Sequence, residues 1–311
     1  MKKALKIISI AIFSLLLSML TSYYYTRSGL QEMNQEARKE IKRNFAKLTE
    51  GTIAYHWLGE ETGEVVVLVH GFSIPGFVFD KNVPALVEAG YRVLVFDHFG
   101  RGDSDRPAKV YNEDFYDREL LQLFHKLNIE KPVNLVGYSM GGGIATVFAA
   151  RHPERVKKLA LIAPAGFLPP PPFLQKLLFV PYLGEWLITV IAPKMMLHDF
   201  AKEYKKGYIS KSMLDSHTKQ MGYKGYTHAL LSSARNFPMR TLKPEYDKLG
   251  KQVMPKLLIW GTKDEVVPYM ADKVRSSVPK IKLIDIKEGK HSIVYSRSRE
   301  VNQALLDFFA R

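Results

Sequence analysis

Ser139 sits between glycines in Gly137-Tyr138-Ser139-Met140-Gly141, where an apolar run from Val133 to Val136 gives way to Met140–Arg151, a segment of helical length. A serine hydroxyl is a weak nucleophile at neutral pH and attacks a carbonyl only when a base takes its proton. Imidazole has the ordinary pKa suited to that task. At a sharp strand-to-helix corner the neighbouring backbones pass too close for side chains, and Gly137 and Gly141 supply the room. Such a corner pushes the hydroxyl outward, at the positive end of the following helix. A serine here could also be a helix N-cap, but the strand before it and the helix after it favour the nucleophile. Nine histidines compete to be the base. His125, His152 and His228 fall in expected helices and His98 in a glycine-rich turn. Only His291 follows the last expected strand, in the loop Gly289-Lys290-His291-Ser292.

The elements that must position these groups alternate along the chain. Strands are expected at Gly51 to Leu58, Glu64 to Val69, Tyr91 to Phe96, Val133 to Val136, Leu159 to Ala163, Lys256 to Trp260 and Ile281 to Ile286. The continuous run Val65-Val66-Val67-Leu68-Val69 suits a strand buried on both faces. Helices are expected around Val83 to Ala89, around Leu120 to Leu127, after Ser139, and at the C-terminus. There Val301, Ala304, Leu305, Phe308 and Phe309 repeat at helical spacing. Alternation of this kind implies a mostly parallel sheet covered on both faces. The exception is the stretch from Ala163 to Lys256, which opens on the stiff Leu168-Pro169-Pro170-Pro171-Pro172 and continues with Leu174, Leu177, Leu178, Phe179, Trp186, Ile188 and Ile191. So apolar an insertion is expected to form a helical lid, or an ordinary helical subdomain, over the mouth of the sheet.

Five motifs together resemble the α/β-hydrolase superfamily in its capped serine-hydrolase branch, over the chain from about Gly51 onward. They are His70-Gly71-Phe72, the Asp97 to Ser104 turn with Asp105-Arg106-Pro107, Gly137 to Gly141, Trp260-Gly261-Thr262-Lys263-Asp264, and Gly289-Lys290-His291. The resemblance implies an α/β fold: a mostly parallel central sheet with helices on both faces and a helical cap inserted after the sixth strand. It orders the triad as Ser139, Asp264, His291 along the chain, with Glu265 the neighbouring acid. The other acid position of the family, after the strand ending at Ala163, holds Pro164-Ala165-Gly166 and offers no carboxylate. The backbone amides of Phe72 and Met140 are implied as oxyanion donors. Phe72, Tyr138 and Trp186 are the expected substrate-contacting residues. The Asp97 to Ser104 turn reads as structural, with Asp97 satisfying local amides. The triad calls for no cofactor and no metal.

The nearest resemblance is to monoacylglycerol-lipase-like enzymes and carboxylesterases with an N-terminal anchor, which implies a lipid or small-molecule ester as substrate. Two other serine chemistries share the pattern: a C–C bond hydrolase of the aromatic-degradation type, and a cofactor-free haloperoxidase-like activity suggested by Ser139-Met140-Gly141-Gly142-Gly143. A non-catalytic ligand-binding protein on the same fold is the reading from outside enzymology.

With 311 residues, 46% of them hydrophobic, and no internal repeat, the chain suits one large core. The absence of cysteine excludes disulfides, thiolate metal sites and a cysteine nucleophile. Residues 1–28 stand apart: Lys2, Lys3 and Lys6 precede an uncharged apolar run from Ile7 to Tyr25. At about 1.5 Å per residue the run just spans a hydrocarbon core of about 30 Å. It is expected as a retained signal anchor exporting the globular part to a periplasmic or extracellular side, with a cleaved signal peptide as the alternative. Residues 29–50 are expected as a stalk, helical from Gln31 to about Asn44. The remaining expected divisions are 51–166 and 251–311 for the core and 167–250 for the cap. The net charge of +14 reflects solvated lysines and a basic cap. Neither a nucleic-acid module nor a basic, aromatic-studded face is present, so no nucleic-acid partner is expected. Nothing in the sequence speaks to oligomeric state.

Overall fold

The computed structural model describes residues 1–310. Eight strands make one sheet: β1 (Asn44–Leu48), β2 (Gly51–Leu58), β3 (Val65–Val69), β4 (Arg92–Phe96), β5 (Val133–Tyr138), β6 (Val156–Ile162), β7 (Lys256–Gly261) and β8 (Lys282–Ile286). Their spatial order is β1-β2-β4-β3-β5-β6-β7-β8. β1 and β2 pair antiparallel with each other, and β2 with β4; the rest of the sheet is parallel. The expected α/β fold with a mostly parallel sheet is therefore what the chain adopts. Valine and leucine fill the central strands because helices cover both sides. Glu113–Lys126, Met140–Arg151 and Lys243–Gly250 pack together on one face, and Val83–Glu88 packs with Ser298–Phe309 on the other.

From β4 the chain crosses back over β3 to lay down β5, so the winding direction changes between β3 and β5. Loops leaving the carboxyl ends of strands on either side of such a point diverge and leave a crevice. The loop after β3 begins at His70 and the loop after β5 is Ser139 itself. The topology thus delivers both to one opening.

Three expectations need correction. The segment 29–50 is not a free helical stalk. It contains one helical turn, Gln35–Arg38, capped by the Asn34 side chain, followed by β1. The alternation of Phe45, Ala46, Lys47 and Leu48 is a strand period, and the chain reverses at Thr49 and Glu50 to pair Leu48 with Gly51. Arg38 and Arg43 then tie the segment to Asp105 and to Asp97 of the glycine turn. Next, β6 starts three residues before the expected Leu159. Its Lys158 is buried and donates to the carbonyls of Phe308 (3.2 Å) and Phe309 (2.7 Å). A lysine on the terminal carbonyls of a helix is satisfied there, so its charge does not mark a loop. Finally, Lys243–Gly250 packs on Met140–Arg151, and Leu242, Tyr246 and Leu249 join the main core. The part of 167–250 that covers the mouth of the sheet ends at Asn236.

That covering part consists of Phe173–Lys176, Leu183–Trp186, a π-helical turn Leu187–Ile191, Ala192–Lys205, Lys211–Met221 and Tyr226–Asn236. The N-terminal helix, Lys2–Ser28, is long and apolar enough to cross a membrane or to be a signal sequence. It buries no residue fully, and its carboxyl-terminal end rests on the π-helical turn.

Candidate active site

Ser139 has φ 58° and ψ −123°, a conformation that non-glycine residues rarely hold. Its surroundings enforce it. A β-carbon at Gly137 would lie 2.4 Å from the Gly141 carbonyl oxygen, and one at Gly141 would lie 2.2 Å from that of Val69. Only glycine permits the strand and helix to meet this closely. The corner is pinned by its own backbone: Ser139 N–H donates to Ile162 O (2.9 Å), and its carbonyl accepts from Gly142 and Ala165 (both 2.9 Å).

His291 is brought to the serine by the loop after β8. A β-carbon at Gly261 would meet the Gly289 oxygen at 2.3 Å, so that glycine lets the loops after β7 and β8 lie against each other. His291 Nε2 lies 3.0 Å from Ser139 Oγ, and Nδ1 lies 2.8 Å from Asp264 Oδ2. The other carboxylate oxygen, Oδ1, accepts from the N–H groups of Val266 (2.9 Å) and Val267 (2.8 Å). Both oxygens of a buried carboxylate are thereby engaged, which fixes it without a counter-cation. Glu265 points away: its side chain is 80% exposed and its nearest cation is Lys290 at 3.9 Å. Tyr138 stacks on the His291 ring, with centroids 5.1 Å apart, and its hydroxyl donates to the His291 carbonyl (2.9 Å). Burial raises the Tyr138 pKa well above its ordinary value, so it remains a neutral donor.

The loop after β3 crosses in front of the serine, where a β-carbon on Gly71 would stand 3.1 Å from Ser139 Cβ. Fully buried His70 donates from Nδ1 to Gly71 O (2.9 Å) and accepts the His98 N–H at Nε2 (2.9 Å). Burial, assisted by His98, holds its pKa well below the ordinary value, so the ring is neutral. Its single proton then belongs on Nδ1, because Nε2 is accepting. Holding the Gly71 carbonyl sets the plane of the peptide whose N–H is that of Phe72. Met140 opens the following helix, so its N–H has no intrahelical acceptor.

The structure places Ser139, Asp264, His291, Tyr138, Phe72 and Met140 at one opening, and Trp186 elsewhere. The Trp186 indole N–H donates to Ser22 Oγ (2.9 Å) of the N-terminal helix, so its expected substrate contact is corrected to a contact with that helix. The cap residues beside Phe72 are Ile188, Tyr226, Leu230 and Leu231, a small apolar cluster that the half-buried Phe72 joins to the main core. On the other side, a cavity of about 750 Å³ opens over His291 and Tyr138, lined in part by Ser73, Ile74, Met196, Glu203 and Tyr295. The Asp97 turn is structural, as read. Asp97 accepts from Gly76 N–H (2.9 Å) and Asp103 N–H (3.0 Å) and pairs with Arg43.

Residues 64–298 match the family model described as alpha/beta hydrolase fold. A putative non-heme chloroperoxidase of Synechocystis sp. is 30% identical, over 82% of this chain and 94% of its own length. A 2-hydroxy-6-oxononadienedioate/2-hydroxy-6-oxononatrienedioate hydrolase of Burkholderia vietnamiensis is 31% identical, over 82% and 91%. Among solved structures, a bromoperoxidase from Bacillus anthracis superposes with a TM-score of 0.73 at 26% identity, covering 87% of this chain and all of that one. The Exiguobacterium antarcticum esterase shares the fold, with a TM-score of 0.71 at 22% identity over 86% of this chain and all of its own. The match over most of the length, on a sheet and crevice of this form, makes the chain a member of the alpha/beta hydrolase family.

Proposed function

We propose that this hydrolase cleaves carboxylic esters through an acyl-enzyme, and that its substrates are lipid esters such as monoacylglycerols. The observation that carries the proposal is the unbroken line of hydrogen bonds from Ser139 Oγ through both nitrogens of His291 to Asp264. In this reading Oγ attacks the ester carbon while His291 Nε2 takes its proton, and Asp264 stabilises the imidazolium. The carbonyl oxygen becomes an oxyanion held by the Phe72 and Met140 N–H groups. Collapse breaks the ester C–O bond, and His291 returns the proton to the departing alcohol. A water, deprotonated by the same imidazole, attacks the acyl carbon; collapse breaks the acyl C–Oγ bond, His291 returns the proton to Ser139 Oγ, and the acid leaves.

Two features support a lipid acyl group. Phe72 faces an apolar cap cluster, where an acyl chain is at home, and the Lys2–Ser28 helix would anchor the site at a bilayer. We infer a retained anchor with the globular part exported. The cavity on the His291 side, where the leaving group must receive its proton, has four carboxylates and four cations. A balanced lining suits an uncharged alcohol.

The relatives named as 2-hydroxy-6-oxononadienedioate hydrolases, 31% identical, favour a second reading, C–C bond cleavage. One panel separates the two. The full chain in detergent micelles is given p-nitrophenyl esters from acetate to palmitate, monoacylglycerols and a vinylogous diketone acid, with Ser139→Ala as the blank. Serine-dependent cleavage favouring medium or long acyl chains is the expected result. Diketone cleavage with little esterase activity would establish the second reading. A chain whose Ser139 never labels with a fluorophosphonate would be a ligand-binding protein instead.

A further inference from the structure

We propose that Arg101 is a positioning residue for the oxyanion donor at Phe72, and that through Ser233 it couples the seating of the cap to that donor. The inference rests on the hydrolase reading above and concerns a residue that stands outside its chemistry.

Arg101 is fully buried and makes no ion pair among the described residues. Taking a guanidinium out of water without a carboxylate partner is expensive, and an apolar side chain of similar volume often serves stability as well or better. What the guanidinium does here is bridge. Nε donates to Phe72 O (2.9 Å), Nη1 to Phe99 O (3.3 Å) and Nη2 to Ser233 Oγ (2.8 Å). Its planar fork presents several donors in fixed directions at once, which no other side chain does. The Phe72 and Tyr111 rings lie 5.8 and 5.6 Å from the cation.

One of these hydrogen bonds holds the Phe72 backbone. The direction of its N–H is set by the peptide before it and the peptide after it. His70 holds the carbonyl of the first, Gly71 O, and Arg101 holds the carbonyl of the second, Phe72 O. With both fixed, the loop cannot turn the N–H away. The third contact reaches the cap helix Tyr226–Asn236. Ser233 Oγ gives its one proton to Ala229 O (2.7 Å) and accepts from Arg101 and from Tyr116 Oη (2.8 Å), which uses all of its capacity. A cap helix displaced from its seat withdraws the acceptor that holds the outer end of the guanidinium. Cap position is thereby read at the oxyanion loop.

The test uses the full chain in micelles, with Arg101→Met, Arg101→Lys and Ser233→Ala. For each, kcat and KM on a medium-chain p-nitrophenyl ester are measured with the inhibition constant of an alkyl boronic acid, whose tetrahedral adduct on Ser139 places an oxyanion at the Phe72 and Met140 amides. Rates are normalised to folded protein by circular dichroism. Losing the hold on one oxyanion donor should lower kcat of Arg101→Met by about 10²-fold, leave KM within about threefold, and weaken the boronate by the same factor as kcat/KM. Arg101→Lys, which keeps the charge and loses the fork, should fall in between. Ser233→Ala, which frees only the cap end, should lose about tenfold. Unchanged kcat and boronate affinity in folded Arg101→Met or Arg101→Lys would overturn the proposal. If neither Arg101 variant folds, Ser233→Ala decides alone, and wild-type values there refute the coupling. A wild-type chain that neither cleaves esters nor binds the boronate removes the hydrolase reading, and the positioning role falls with it.

Discussion

Replacing Asp264 by asparagine isolates the acid of the triad, because the local geometry dictates which way the new amide must face. Asp264 Oδ1 accepts two backbone N–H groups, from Val266 and Val267, and Oδ2 faces His291 Nδ1. The asparagine oxygen has to keep the two amides, so its NH₂ falls opposite Nδ1. The imidazole then accepts at Nδ1 and carries its proton on Nε2, 3.0 Å from Ser139 Oγ. A donor now meets the serine, and nothing can take its proton. Flipping the amide would strand the buried Val267 N–H, at about 1–3 kcal/mol, and the part-buried Val266 N–H, at less. The productive arrangement therefore lies roughly 2–4 kcal/mol uphill, a factor of about 30 to 10³ in rate. Loss of the charge that stabilises the imidazolium adds to this, so kcat should fall by about 10⁴, while the retained oxygen keeps the fold intact. Glu265→Gln, on an exposed neighbour, should stay within about twofold. The assay is p-nitrophenyl ester hydrolysis at equal folded concentration. An Asp264→Asn enzyme that keeps a tenth of wild-type activity, or a Glu265→Gln enzyme as damaged, would refute the assignment.

The geometry around the serine, the buried histidines and the N-terminal helix sets three further outcomes. Gly71→Ala puts a methyl 3.1 Å from Ser139 Cβ and 3.5 Å from Oγ, where the ester carbon would approach in the proposed reaction; kcat/KM should drop by about 10² with the melting temperature nearly unchanged, and a fully active variant would move the substrate elsewhere. Burial holds Glu119 up at about 8 and His98 down at about 3, so the folded pair keeps one proton where the unfolded pair, titrating at 4.5 and 6.5, loses its last above pH 6.5. Stability should be level from about pH 4.5 to 6.5 and fall by up to about 2 kcal/mol towards pH 8; urea titrations of Glu119→Gln should lack that alkaline fall, and an equal fall would show the proton sits elsewhere. A chain beginning at Gly29 should hydrolyse dissolved short esters within about threefold of the full chain, since no catalytic group contacts the helix, yet lose its binding to phosphatidylethanolamine and phosphatidylglycerol vesicles. Equal vesicle binding by both chains would take the helix out of the functional argument.

The sheet was legible because its strands are of the kind a sequence displays best. Runs such as Val65 to Val69 have no alternative as helices once a glycine loop follows within two residues. The strand β1 was hidden by its setting: Asn44 to Leu48 is short, half polar, and follows a charged segment that looks solvated. Two arginines of that charged segment, Arg38 and Arg43, are what dock it. Ser139 and His291 were readable because glycines mark the tight approaches around them. Arg101 was not, because an arginine between glycines looks the same in a solvated loop as in a buried turn. Only the placement of Ser233, 132 residues further on, gives it a role. Trp186 went astray because lining and packing residues of an apolar insertion look alike in sequence. It immediately precedes Leu187–Ile191, which winds as a π helix, and its indole meets the N-terminal helix instead.

That turn also explains why the cap and the N-terminal helix belong in one argument. Trp186 faces outward to Ser22, while Ile188, two residues on, is buried with Tyr226, Leu230 and Leu231 against Phe72. A single turn of cap backbone therefore touches the membrane-length helix on one side and the apolar neighbours of Phe72 on the other. The helix Tyr226–Asn236 carries both Leu230, in that cluster, and Ser233, on Arg101. Packing and hydrogen bonding thus converge on Phe72 from the same two cap elements. If the helix anchors the protein in a bilayer, the first part of the cap to meet the lipid surface is also the part that seats Phe72. An acyl chain leaving the bilayer along that turn would then arrive where the attacked carbonyl is to be held.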